Sequence, residues 1–220
     1  MIKLVAFDWN GTLLADAVVC WKIDNDIFKH LEKPVMSFRK YQEIFDIPIS
    51  KMLLAHGFSE KELSEHEDYI VHTFHDAYEA WAVKARTRTG TREILKWLKK
   101  HDISIVIFSN HSLNGLDKQM KRLEIGKYFD AVIGNDSRGA SFKSRTKKEK
   151  LAAYIKKKGF KAKEVLVVGD TVEEIEIGQE LKAKTVAITG GYQSRKVLRK
   201  QKPDHVITNL LELKKIVLNS

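Results

Sequence analysis

Four apolar runs constrain what this chain can fold into: IKLVAF (residues 2–7), ISIVIF (103–108), EVLVVG (164–169) and TVAIT (185–189). Each is short, dominated by Val, Ile and Leu, and runs out into polar or Gly-containing turns. Near-continuous apolar strands without polar alternation are what a parallel sheet covered on both faces produces. FDAVIG (129–134) reads as a fifth strand and DHVIT (204–208) as a sixth. Helical patterns lie between them. TREILKWLKKHD sets Ile94, Leu95 and Leu98 on one face and lysines on the other, and KKEKLAAYIKKKG closes on Gly159, a residue suited to a helix C-terminus. The alternation from residue 90 onward predicts βαβ units and a Rossmann-like, doubly wound parallel sheet.

Residues 16 to about 86 break that rhythm. They hold no convincing strand but several amphipathic helical patterns: CWKIDNDIFKHLE, SFRKYQEIF, ISKMLLAHG and the long SEKELSEHEDYIVHTFHDAYEAWAVKA. Ser59 followed by Glu62 has the spacing of a capping box opening the last of these. A helical block this long, between the first strand and the rest of the sheet, predicts an inserted all-helical cap domain over 16–86. The core domain then comprises 1–15 and 87–220.

The chain's 220 residues suffice for such an arrangement, and 43% hydrophobic with 31% charged residues is an ordinary globular composition. No apolar run approaches the roughly 20 residues of a membrane span, and IKLVAF passes directly into a polar turn rather than a secretory cleavage site. Cys20 is the only cysteine, so no internal disulfide forms. These features give the expectation of a cytoplasmic protein. Lys and Arg (39) exceed Asp and Glu (29), a formal net charge of +10. The basic clusters carry no interleaved aromatics on a predicted strand, as a stacking platform for single-stranded nucleic acid requires. The excess is therefore read first as a solvated, lysine-rich surface, with attraction of anionic substrates as the sharper alternative.

Open α/β sheets build their sites at the carboxyl ends of the strands. Collected strand by strand, the polar residues there are Asp8, Asn10 and Thr12; Ser109 and Asn110; and Asp170, Thr171, Glu173 and Glu174. Lys143 lies in the polar loop before the KKEKLAAYIKKKG helix. Carboxylates, hydroxyls, an amide and an ammonium together suit a magnesium-dependent phosphoryl site. Mg²⁺ takes oxygen ligands from one or two carboxylates plus phosphate, and a transferring phosphoryl group needs donors around its oxygens. Simpler roles stay open: Asp8, Gly11 and Thr12 as a turn, Ser109 and Asn110 as helix caps, Glu173 and Glu174 as helix N-terminal charges. The histidines form no metal-binding spacing, and His72 and His75 are expected on a helix face without chemical duty.

FDWNGTL, VIFSN, a following lysine and VVGDTVEE, in that order, resemble the four ordered motifs of the haloacid dehalogenase superfamily. TGTREILKWLKK resembles the segment that re-enters the core after a helical cap. SFRKYQEIFDIP and TGGY resemble the cap and a post-strand turn of phosphoglycolate phosphatase-like members. The resemblance covers nearly the whole chain and implies a Mg²⁺-dependent phosphatase. Asp8 would be the nucleophile that becomes an aspartyl phosphate. Thr12 would stabilise the turn, Ser109 would bind a phosphoryl oxygen with Gly11 and Asn110 beside it, and Lys143 would neutralise charge. Lys143 is preferred to Lys147 because Lys147 already belongs to the predicted helix. Asp8, the backbone carbonyl of Asn10, Asp170 and Glu174 would hold the metal. Arg39, Lys22 and Tyr41 in the cap are candidates for choosing a small phosphomonoester, with phosphoglycolate the leading single substrate.

Asn10 departs from the pattern, which usually has Asp there as general acid and base. An amide cannot exchange a proton, and losing such a group costs roughly a hundred- to ten-thousand-fold in rate. Three outcomes stay open: a slow phosphatase, a phosphotransferase with a long-lived phosphoenzyme, or a non-catalytic protein that senses a phosphorylated ligand.

Overall fold

The computed structural model describes residues 1–136, 142 and 147–220. Six strands form one parallel sheet: β1 (Leu4–Phe7), β2 (Ser104–Ser112), β3 (Ala131–Asn135), β4 (Val165–Gly169), β5 (Lys184–Ile188) and β6 (His205–Ile207). Their order is β3-β2-β1-β4-β5-β6. The order reverses between β1 and β4, which pair in register from Leu4 with Val165 to Phe7 with Val168. That switch point is where an open sheet leaves a crevice beyond its strand ends.

Both faces of the sheet are buried, which is why its strands read as unbroken apolar runs. Val5 and Phe7 of β1 pack with Ile94, Leu95 and Leu98 of helix α5 (Thr91–Lys100) and with Leu116 of α6 (Leu113–Arg122). The alternate residues Leu4 and Ala6 face Leu151 of α7 (Lys147–Lys158) and Ile177 of α8 (Val172–Glu180). Two short helices, α9 (Arg195–Lys200) and α10 (Leu213–Leu218), complete the core. The six strands and the doubly wound topology agree with the sequence reading.

Between β1 and α5 the chain forms four helices: α1 (Ala17–His30), α2 (Phe38–Ile44), α3 (Ile49–His56) and α4 (Glu60–Ala82). No strand interrupts them. They share a hydrophobic cluster distinct from those flanking the sheet, with Ile27, Phe28, Tyr41, Met52, Leu53, Ile70 and Tyr78 among its members. Phe142 and Tyr192, from beyond β2, also join this cluster. Ser59 and Glu62 form the expected capping box: the Ser59 hydroxyl accepts from the Glu62 N–H at 3.2 Å and the Glu62 carboxylate accepts from the Ser59 N–H at 2.8 Å. Among the described residues no helix is long and apolar enough to cross a membrane.

Leu53 is 1% exposed in this helical cluster. Leu53→Ala is expected to lower unfolding stability by about 2–5 kcal/mol, the usual range for a buried leucine truncation. Urea denaturation followed by circular dichroism checks this.

Candidate active site

The turn after β1 is shaped by three contacts. Gly11 has φ +73, and a β-carbon there would lie 2.2 Å from Asp170 Oδ2, so this position needs glycine both for its backbone and for the close approach. The Gly11 carbonyl accepts from the Arg88 guanidinium at 2.5 Å. The Gly11 N–H donates to Asp16 Oδ1 at 2.8 Å. Asp16 occupies the N-cap position of α1 yet does not cap it; its carboxylate is turned back into the turn instead.

Asp170 follows β4 and faces Asp8 across the switch point. It is fully buried, accepts from the Thr12 hydroxyl at 2.7 Å through one oxygen and from the Tyr192 N–H at 2.6 Å through the other. Gly191 crowds it from a second side, since a β-carbon there would come within 2.1 Å of the same oxygen. Burial, reinforced by the Glu174 carboxylate, pushes the Asp170 carboxyl up to about 7, against the opposing pull of Thr12, Tyr192 and Arg88.

The cation of the site is Lys147, the first residue of α7. Its side chain is 2% exposed, and its ammonium lies 3.1 Å from Asp8 Oδ1 and 3.0 Å from Glu173 Oε2 and also contacts Glu174. Burial alone would lower this ammonium, but the Asp8, Glu173 and Glu174 carboxylates outweigh it and hold the group well above its ordinary value. Burial likewise raises the Asp8 carboxyl, Lys147 opposing and Glu174 and Asp170 adding to the rise. Lys143 lies outside the described residues. Lys147 sits at Asp8 although it belongs to the helix: the helix begins at the site, so its first side chain reaches inward.

Ser109 and Asn110 do not cap α6; Ser112 does, accepting from the Gly115 N–H at 3.2 Å. Ser109 stands 2% exposed with its hydroxyl 3.5 Å from Asn10 Oδ1 and 3.1 Å from the His111 N–H. The Asn110 amide donates to Glu173 Oε2 at 2.7 Å. Asn110 Oδ1 and Glu173 Oε1 are buried without a hydrogen-bond partner. Glu174 accepts the Thr171 N–H at 2.9 Å and its hydroxyl at 2.6 Å through one oxygen while the other meets Lys147. Its helix-capping role and its place at the site therefore coexist.

Asn10 is held by its amide nitrogen, which donates to Asp16 Oδ2 at 2.6 Å and to the Tyr78 hydroxyl oxygen at 2.8 Å. Tyr78 in turn donates to the same Asp16 oxygen at 2.8 Å. A carboxylate only accepts, so it fixes the amide with its nitrogen toward Asp16 and its oxygen toward Ser109.

These residues open into a cavity of about 150 Å³. Asp8, Asn10, Ser109, Asn110, Lys147, Glu173 and Glu174 line its floor, and the helical segment supplies aromatic and aliphatic side chains above. Arg39 is not among the lining residues: its guanidinium is 91% exposed and 3.7 Å from Glu43, one helical turn on. Lys22 is also exposed, whereas Tyr41 does line the cavity. His75, expected on an idle helix face, lines it as well. So does His111, which no motif or spacing in the sequence singles out; burial, with the neighbouring His75 adding, lowers it to about 4 and keeps it neutral. Arg88 and Asp16 also escaped sequence reasoning, because neither falls in a strand-end motif.

No three His, Cys, Asp or Glu side chains among the described residues converge into a closed metal cluster. The donor set nonetheless fits a divalent cation that keeps waters and takes substrate oxygens. The buried carboxylates of Asp8, Glu173 and Glu174 meet one ammonium, that of Asp170 is buried beside Asp8, and one carboxylate oxygen is unpartnered. Such an excess of buried negative charge calls for a further cation.

Residues 5–188 match the sequence model of the haloacid dehalogenase-like hydrolases. A phosphoglycolate phosphatase of Pseudomonas fluorescens is 26% identical over 218 residues, covering 96% of this chain and 78% of that protein. Phosphoglycolate phosphatase 1 of Pseudomonas aeruginosa is 21% identical over 215 residues, with the same coverage of each. Among solved structures, a haloacid dehalogenase-like family hydrolase from Streptococcus pneumoniae superposes with a TM-score of 0.81 at 20% identity over 98% of both chains. Fold, motif order and family match agree: the chain belongs to the haloacid dehalogenase-like hydrolases.

Proposed function

We propose that this protein is a Mg²⁺-dependent phosphatase acting on a small phosphomonoester, with Asp8 as nucleophile. The observation that carries the reading is the buried Asp8 carboxylate at the end of β1, 3.1 Å from the Lys147 ammonium and beside Asp170. Attack by an Asp8 oxygen on phosphorus would form the aspartyl phosphate as the bond to the leaving alcohol breaks, and water would then cleave the acyl phosphate. Lys147 offsets charge on Asp8 and the phosphoryl oxygens, and Ser109 and Asn110 lie where they can donate to those oxygens. The Asp8 side chain, the Asn10 carbonyl and Asp170, with Glu174 behind, would hold Mg²⁺; when bound it supplies positive charge to the phosphoryl oxygens. Residues 16–86 act as the cap over a core of 1–15 and 87–220, excluding water and selecting the alcohol. Their separate hydrophobic cluster and their contribution to the cavity roof support this division.

Asn10 leaves the alcohol without a protein acid at the usual place, because its cavity side is a carbonyl oxygen. Turnover is therefore slow except for substrates whose alcohol leaves without protonation. The competing reading, a sensor that binds a phosphorylated ligand without hydrolysing it, predicts the same cavity but no turnover.

Native protein with Mg²⁺ is expected to hydrolyse p-nitrophenyl phosphate, with chelation of the metal and Asp8→Asn each reducing the rate to background. An unaffected rate in Asp8→Asn would remove Asp8 from its role. Lys147→Gln is expected to lower kcat more than Lys143→Gln, and to lower the melting temperature, since breaking a buried ion pair costs about 3–5 kcal/mol. The reverse order of kcat losses would assign the lysine role to Lys143.

Restoring the proton carrier requires two changes. Asn10→Asp alone sets a carboxylate against that of Asp16 across a 2.6 Å contact, and two such groups cannot both ionise. Asn10→Asp with Asp16→Asn keeps the hydrogen bond with its polarity reversed. The double variant is expected to exceed native kcat on alkyl phosphates by about a hundredfold or more, with the single variant less stable and slower than the double. Equal rates in all three proteins would show that leaving-group protonation does not limit this enzyme.

A further inference from the structure

The cavity roof has a chemical character the phosphoryl floor does not require. Tyr41, Phe45 and Tyr192 form a continuous aromatic cluster there, with centroids 5.5 Å apart for Tyr41 and Phe45 and 4.6 Å for Phe45 and Tyr192. Phe74 and Tyr78 stack at 6.0 Å on the same lining. Among these rings lies a carboxylate, Asp24 of α1, 5% exposed and lining the cavity. One of its oxygens accepts from the Tyr41 hydroxyl at 2.8 Å; the other accepts none of the described hydrogen bonds. The Tyr192 hydroxyl is engaged by Cys20 Sγ at 2.8 Å, which fixes that ring.

Among the described residues, the carboxyls nearest this roof are those of Asp24, on its lining, and Asp16. Asp16 and Asp24 both act on the Cys20 thiol and the Tyr41 hydroxyl, adding to burial in raising them. Among the described lining residues the one ammonium is Lys147, already met by three carboxylates on the floor. His111 is neutral. A substrate carboxylate entering this roof would meet the Asp24 carboxyl and ring faces. An alkylammonium would find both partners that suit it: a carboxylate, and aromatic faces whose quadrupoles attract cations. Burial holds the Asp24 carboxyl up at about 7, with the Tyr41 hydrogen bond opposing.

We propose that the roof is a specificity site for the alcohol half of the substrate, built to hold an alkylammonium between Asp24 and the Tyr41, Phe45 and Tyr192 rings. The substrate class is the phosphomonoester of an amino alcohol. This deepens the phosphatase reading and rests on it for the phosphoryl end. It separates this chain from relatives named for phosphoglycolate, whose alcohol carries a carboxylate.

Phosphocholine, its uncharged isostere 3,3-dimethylbutyl phosphate, and phosphoglycolate are compared with Mg²⁺ in the native protein by initial rates. Their affinities for the Asp8→Asn protein are measured by calorimetry. Phosphocholine is expected to exceed both others by about tenfold or more in kcat/KM and in affinity. Asp24→Asn, whose amide still accepts from Tyr41, is expected to raise the phosphocholine KM far more than it changes kcat and to bring the ratio to the isostere near one. Tyr41→Phe keeps the ring and the carboxylate and should retain the preference; Phe45→Leu, which removes a ring, should reduce it. If p-nitrophenyl phosphate is inert while the order of affinities holds, the phosphatase reading falls and the amino-alcohol site stands. Equal affinities for phosphocholine and its isostere, a lead for phosphoglycolate, or an unchanged ratio in Asp24→Asn overturns it.

Discussion

The candidate site depends on one buried ammonium. Lys147 starts α7 with its side chain directed into the sheet's switch point, where carboxylates from the turn after β1 and from the start of α8 meet it. Without it, Asp8, Glu173 and Glu174 would face one another in a medium that tolerates isolated charge poorly. The ammonium ties two crossovers of the sheet together at the place where the phosphoryl group would sit. Structural and chemical demands therefore fall on the same atoms, and a change there moves stability and turnover together.

The sheet was the most legible part of the chain. Strands buried on two faces leave a signature in composition alone, and β1 shows why: Val5 and Phe7 pack on one side, Leu4 and Ala6 on the other. The motif residues were legible because strand ends collect polar side chains where none is needed for packing. What the sequence could not show is orientation. Ser109 and Asn110 looked equally suited to capping α6, and only the register of β2, which runs on to Ser112, removes them from that duty. The lysine was harder still. Lys147 opens a helix and its side chain nonetheless reaches Asp8, while Lys143 lies outside the described residues.

The helical segment was legible as an amphipathic block and opaque as a chamber. Arg39 has the right chemistry for an anionic ligand but projects into solvent. Asp24 occupies a position on α1 that reads as one more polar residue on an amphipathic helix, yet it is buried with Tyr41 from α2. Which polar residues of such a helix turn inward depends on its partners, and those come from four separate elements and from Tyr192 far along the chain. Pattern within one segment carries no information about such a meeting.

The Asn10–Asp16 contact gives the site a history as well as a chemistry. An acid at 10 cannot arise comfortably while an acid stands at 16, but an amide at 16 is compatible with either residue at 10, because amides both donate and accept. A lineage moving toward or away from proton transfer would thus have to change position 16 first on the way in, and last on the way out. The order of substitutions, rather than any one of them, decides whether an ancestor of this chain could have crossed between the two forms without passing through a protein that folds poorly.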